Sequence, residues 1–178
     1  MFRLCTWTMA WIALSVTALH AQDMAAAKFE KSTSTQGGYS VLFPGKPESQ
    51  KKLVPSPVGE LTVNFDIVPV AKNAAFIVSY NDYPDAIKQE DPTKLLEGVR
   101  DGNKGQDGSI IADEVITFGP DKLPGRKVVI KKEGGLIMKN LMVLSGTRLY
   151  QAMVVGEASI VNSPVVESKF YKSFTITK

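Results

Sequence analysis

Residues 123 to 156, LPGRKVVIKKEGGLIMKNLMVLSGTRLYQAMVVG, constrain the fold more than any other part of the chain. Three apolar, β-branched runs are separated by Glu133-Gly134-Gly135 and by Ser145-Gly146-Thr147, whose glycines supply the positive φ that tight hairpins demand. This is the pattern of a β-meander. In the first run Val128 and Ile130 share one face while Lys127, Val129 and Lys131 share the other, which predicts a half-exposed strand. The next two runs are apolar in both phases: Leu136, Met138, Met142 and Leu144 against Ile137, Leu141 and Val143, then Leu149, Met153 and Val155 against Tyr150, Ala152 and Val154. Strands of that kind lie mid-sheet with both faces covered, so helices or a second sheet must lie above and below.

Residues 1–21 have the anatomy of a secretory signal: Arg3 at the front, an apolar stretch from Leu4 to Leu19, and Leu19-His20-Ala21 before Gln22. The alternative is an uncleaved anchor, but roughly 16 apolar-leaning residues interrupted by Thr6, Thr8, Ser15 and Thr17 are short for a span of about 20. Export to the periplasm or the extracellular space is therefore expected, with no membrane span after cleavage. The only cysteine (Cys5), the only histidine (His20) and both tryptophans (Trp7 and Trp11) lie within this segment. A chain beginning at Gln22 then has no thiol nucleophile, histidine-based triad, disulfide or common zinc site, and no cofactor or metal is expected. Removing Arg3 from the 21 lysines and arginines leaves 20 against 18 acids, a balance that predicts no nucleic-acid partner.

Residues 22–38 read as a flexible tether and 39–178 as one domain. Strands are predicted at Tyr39–Phe43, on a short edge piece within Glu48–Gly59, and at Leu61–Ile67, Ala74–Tyr80 and Ser109–Phe118. A helix opens at Asp91-Pro92 with Leu95, Leu96 and Val99 on one side and stops at Gly102 or Gly105. A second is expected to open at Ser163-Pro164 and present Val166, Phe170 and Phe174. The fold class is α+β, an antiparallel central sheet with helices on both faces.

The stretches YSVLFPGKP, VSYNDYP, LPGRKVVI, GTRLYQAMVVG and KFYKSFTI together resemble a family of small exported bacterial proteins similar to PsbP, the extrinsic subunit of photosystem II, and to the Ran-binding import factor of the same fold. The resemblance spans about residues 37 to 176 and implies a central sheet sandwiched by helices, with accessory or binding roles in place of catalysis. The histidine-based metal binding proposed for plant members has no histidine to use here.

Among candidate sites, Asn103 to Glu114 imitates a calcium loop, with Asp107, Gly108, Ile110 and Glu114 in register, but Gly105 at a ligand position and Lys104 beside it leave the cage incomplete. Asp82 and Asp85 flank Tyr83-Pro84, either as a carboxylate pair or as turn acids bonding local N–H groups. Lys139 and Ser145 lie six residues apart on one strand, about 20 Å, too far to form a dyad. Arg148 and Tyr150, on one face after a tight turn, and Arg126 after Pro124-Gly125 are candidate binding residues, with Asp82 and Tyr83 beside them; alternatively the arginines pair with local acids or carbonyls. Two readings follow: a monomeric, non-catalytic accessory domain with an unidentified protein partner, or a small-ligand carrier or carboxylate enzyme with a cleft near Asp82–Asp85 and Arg148.

Overall fold

The computed structural model describes Met24, residues 27–56 and residues 58–177. The expected signal segment, its cleavage before Gln22, and Cys5, His20, Trp7 and Trp11 lie outside them. Among the described residues ten strands form two antiparallel sheets. The larger has seven strands in the order β3 (Glu48–Ser56), β4 (Gly59–Ala71), β5 (Ala74–Asp82), β9 (Arg148–Gly156), β8 (Ile137–Ser145), β7 (Leu123–Lys131) and β6 (Ser109–Phe118). The smaller has the order β1 (Glu30–Ser34), β2 (Tyr39–Phe43) and β10 (Thr175–Ile176).

The meander is the middle of the large sheet. Both turn glycines do what the sequence requires of them: Gly134 and Gly146 have φ of 73° and 62°. Register follows from the alternation, with Lys139 opposite Val154, Leu141 opposite Ala152 and Val143 opposite Tyr150. One phase of β5, β8 and β9, comprising Phe76, Val78, Tyr80, Leu141, Val143, Tyr150, Ala152 and Val154, joins the main core. The other phase of β8 and β9, with Met142, Leu144 and Leu149, joins Val128 and Ile130 of β7 in a second cluster under a regular helix. Met142 and Met153 are buried in the sheet, where an unbranched thioether adapts to irregular gaps.

That helix, α1 (Pro92–Lys104), begins where the cap chemistry places it. The Asp91 carboxylate accepts from Thr93 N–H at 2.8 Å, proline occupies the first turn, and Gly105 ends the helix at φ 66°. Leu96 is its one fully buried side chain, with Leu95 and Val99 packed around it. At its last turn Gln151 Oε1 accepts from Asn103 Nδ2 at 2.7 Å and from Asn140 Nδ2 at 2.8 Å, tying the helix end to β8 and β9.

The opposite face departs from the expected helical layer. It is covered by the small sheet and by an irregular C-terminal run: a short helix at Ala158–Val161, a π-turn at Val166–Phe170 and a 3₁₀ turn at Tyr171–Ser173. The helical run expected after Ser163 does open at Pro164, with Val166 N–H donating to the Ser163 carbonyl, but within a turn it passes into the π and 3₁₀ geometry and no regular α-helix continues. The apolar residues meant for it are still buried. Phe170 packs edge-on to Phe76 with ring centroids 5.1 Å apart and lies 5.5 Å from Phe43. Such rings contribute about 0.5–1.5 kcal/mol per pair beyond the area they bury.

Part of the expected tether is also structured. Glu30–Ser34 pairs with Tyr39–Phe43 across a hairpin, Glu30 opposite Phe43 and Ser34 opposite Tyr39, and Met24 is buried in the main core. Its composition, KSTST, lacks the apolar alternation that marks a strand. Backbone pairing to the buried strand β2 supplies the order instead. Among the described residues no helix is long and apolar enough to cross a membrane.

Candidate functional site

The residues singled out in the sequence fall into two internal clamps. Arg148 opens β9 directly opposite Asp82 at the end of β5. Its Nε and Nη2 donate to the two Asp82 oxygens at 2.6 and 2.7 Å, and Nη1 donates to the carbonyls of Gln36 and Gly37 at 3.1 and 3.2 Å. The guanidinium lies over the Tyr80 ring, 5.2 Å from its centroid. Tyr150 donates its hydroxyl to the Gly37 carbonyl at 2.8 Å. Arg148, Tyr150 and Asp82 thus fasten the β1–β2 hairpin to the large sheet through planar, two-point recognition that only arginine offers. The Arg148 hydrogen bonds hold the Asp82 carboxyl below its ordinary range, and Asp82 raises the arginine in return. Gly38 turns at φ 67° where a Cβ would lie 3.3 Å from the Tyr150 hydroxyl, so the hairpin can approach only with glycine there.

Arg126 anchors the second clamp, and here the burial is deeper. Its side chain is 8 % exposed, with Nε and Nη2 donating to Asp113 of β6 at 2.5 and 2.8 Å and Nη1 reaching Glu97 of α1 at 3.4 Å. Arg100 of α1 adds a third bond to Asp113 at 2.7 Å. The Arg126 hydrogen bond, with that of Arg100, holds the Asp113 carboxyl below its ordinary range against the cost of burial. Helix, edge strand and β7 are joined at one point.

Neither clamp presents a free carboxylate pair. Asp85 forms its own exposed ion pair with Lys88 at 2.7 Å, and Tyr83 is fixed by its N–H to the Thr147 carbonyl at 2.9 Å while burial raises its hydroxyl pKa. The calcium-like segment runs from the last turn of α1 into β6, so Asn103 and Glu114 belong to different elements, and Asp113 within it belongs to the arginines. Lys139 and Ser145 sit on β8 as their spacing requires.

Among the described residues, the best-formed hollows are shallow, and neither Asp82 nor Arg148 lines these. Two adjoin over β6, β7 and β8 on the face away from α1, with volumes of about 240 and 230 Å³ and with Lys127, Leu141, Glu167 and Tyr171 in common. Val129 and Leu141 floor this shelf. Its wall is Tyr171, whose hydroxyl donates to the Lys139 carbonyl at 2.6 Å and whose ring lies 5.1 Å from Lys139 Nζ. Lys139 Nζ donates to Glu167 at 2.7 Å. Burial acts to raise the Glu167 carboxyl, but Lys139, helped by Lys127 and Lys172, holds it below its ordinary range. The shelf exists because the small sheet and the C-terminal run leave this end of the large sheet uncovered. Sequence alone marks only its β7 row, the Lys127/Val129/Lys131 phase. Glu167 and Tyr171 come from the irregular turns, which carry no periodic signal.

The third hollow, about 160 Å³, lies between the hairpin and β3–β4. Tyr39, in the core behind it, donates its hydroxyl to Asp66, which also accepts from Ser49 at 2.5 Å. Burial first, then Asp66, drives the Tyr39 hydroxyl far above its ordinary pKa.

No protein-family model matches the sequence, and no curated protein matches it. Among solved structures, the solution structure of cyanobacterial PsbP (CyanoP) from Synechocystis sp. PCC 6803 superposes with a TM-score of 0.55 at 14% identity, covering 84% of this chain and 93% of the other. A Pseudomonas aeruginosa protein of unknown function superposes at a TM-score of 0.42, with 9% identity over 78% of this chain and 88% of its own. The layout of sheets and turns described above, in which the meander lies at the centre and the termini pair over one face, is the PsbP-like fold.

Proposed function

We propose that this is an exported, extracytoplasmic accessory domain whose work is to bind another polypeptide, not to catalyse a reaction. The observation that carries the reading is the shelf over β6–β8: an apolar floor, a charged rim of Lys127, Lys139, Glu114 and Glu167, and a shallow form about as wide as three strands. A surface of mixed apolar and charged groups without depth suits a protein partner, whereas a small ligand needs a concavity that closes around most of its surface. The carrier or carboxylate-enzyme reading draws less support, since Asp82 and Arg148 are bonded to each other. Export rests on the signal-like residues 1–21, and the accessory role on the likeness in fold.

The test is a photoreactive residue at Lys127, activated in intact cell envelopes and read by mass spectrometry, with Lys88, exposed on the turn after β5 and outside the shelf lining, labelled as a control. A discrete polypeptide adduct at 127 and none at 88 is expected. Equal labelling at both positions, or a native mass spectrum carrying a bound small molecule and no polypeptide, would overturn the reading.

A further inference from the structure

We propose that β6 is a self-docking edge: two copies of the chain pair their β6 strands antiparallel about a twofold axis at Val115, joining two seven-stranded sheets into one. The inference goes beyond the shelf, which faces away from the strand's own backbone edge.

Among the described residues β6 is the outermost strand of the large sheet and is bonded on one side only. Its regular part is bounded. The register with β7 slips between Ile110 and Ala112, a bulge, and the strand ends at Phe118 before Gly119 turns at φ 68°. Seven residues, Ala112 to Phe118, are left in unbroken register, and their midpoint is Val115. That side chain is 64% exposed, more than any other large apolar side chain among the described residues. An unprotected strand edge with an apolar centre is a template for another strand.

A second copy fits this edge because the sequence is compatible with its own reversal. Antiparallel pairing about Val115 sets Val115 against Val115, Glu114 against Ile116 of the second copy, Asp113 against Thr117, and Ala112 against Phe118. No acid meets an acid, a small residue meets a large one, and each residue faces a partner on its own side of the sheet. Asp113 is already compensated within each chain by Arg126 and Arg100, and Glu114 stands opposite Lys127 in the register with β7. The side chains at 113, 115 and 117 would meet beside α1 of each copy, which lies over β6 and β7 through Arg100 and Glu97.

Sedimentation equilibrium of the purified protein tests this. A monomer–dimer equilibrium in the range of about micromolar is expected for an edge contact of this size. Val115→Lys, which sets two ammonium groups face to face, should weaken it at least about tenfold. Val115→Ile should retain it, and Leu53→Lys, on the other edge strand, should leave it unchanged, with circular dichroism confirming that all three fold. A monomer at every accessible concentration, the state expected of the accessory-domain reading, would overturn the proposal. So would a dimer that survives Val115→Lys. A chain that stays monomeric yet still gives the Lys127 adduct in envelopes would overturn the self-docking edge alone and leave the accessory reading standing.

Discussion

The two edges of the large sheet face the same hazard and answer it differently. β3 and β6 are of similar length, nine and ten residues, and nearly every side chain on each is exposed or half-exposed. β3 has Lys52 at its midpoint, with Lys51 next to it, and Pro55 with no N–H to give. Pairing β3 with itself would set Lys52 against Lys52, and like charges directly opposite destabilise a strand pair. β6 has Val115 at the midpoint of its regular run, and its one acid on that face is neutralised from behind by two arginines. Natural sheets blunt edges with lysine and proline. One edge here is blunted in that way, and the other keeps only a bulge at its start. The difference teaches that edge chemistry, not edge exposure, decides which side of such a domain accepts another chain.

The largest test of this comparison is Arg126→Met. β6 is held by a clamp on the buried Arg126, whereas the side-chain ties from β3 to β4 are exposed bonds, Ser49 to Asp66 and Ser56 to the Gly59 carbonyl. Removing this guanidinium, whose exposed Asp113 partner keeps its bond to Arg100, should lower unfolding stability by about 2–3 kcal/mol, read by denaturant titration. A loss below about 1 kcal/mol would mean that Arg100 alone holds the edge. Arg148→Ala comes next, at about 1–2 kcal/mol, since its charged hydrogen bonds are half open to water. The melting temperature should fall while the shelf crosslink at Lys127 persists. Unchanged stability with a lost crosslink would make Arg148 a contact residue and move the binding surface.

A smaller effect separates the clamps by pH. Asp113 and Asp82 have folded-state pKa values lowered from 3.8, chiefly by hydrogen bonds from Arg126 and Arg148. Each therefore contributes stability that is fully present above the unfolded value and is lost as pH falls through the depressed folded value. Asp113→Asn should be less stable than the parent at neutral pH and should lose less on acidification, so the two curves converge at low pH. Parallel curves would show that Asp113 is not held as a carboxylate. The smallest stability effect is predicted for the edge pair itself. Val115→Lys and Leu53→Lys should each lie within about 0.5 kcal/mol of the parent, because both side chains already stand in water. Only the first should change assembly.

Much of this architecture was legible in the chain. The meander, both hairpin glycines and the Asp91-Pro92 start of α1 follow from turn and cap chemistry that acts within a few residues. Two-sided burial of β8 and β9 follows from their double apolar phase. The nature of the cover did not follow. Val166, Phe170 and Phe174 are spaced for a helix, but a π-turn and a 3₁₀ turn bury them equally well, so periodicity reports burial and not the regularity of the backbone. Glu30–Ser34 was illegible because a strand ordered by backbone pairing needs no apolar pattern. For Arg148 and Arg126 the sequence offers two readings, a binding residue or a partner of local acids and carbonyls, because whether an arginine faces a ligand or a neighbouring strand depends on register. Only the pairing of Asp82 with Arg148 and of Asp113 with its neighbours across β6–β7 settles that. The shelf was missed for the same reason, being assembled from three strands and an irregular turn.

Backbone hydrogen exchange at two protein concentrations tests the contrast between the edges most directly. Peptides covering Ala112–Phe118 should gain protection at the higher concentration, by about tenfold in exchange rate if most of the chain is paired there, while peptides covering Glu48–Ser56 exchange at the same rate in both samples. Protection that rises equally on β3 and β6, or on neither, would contradict the account.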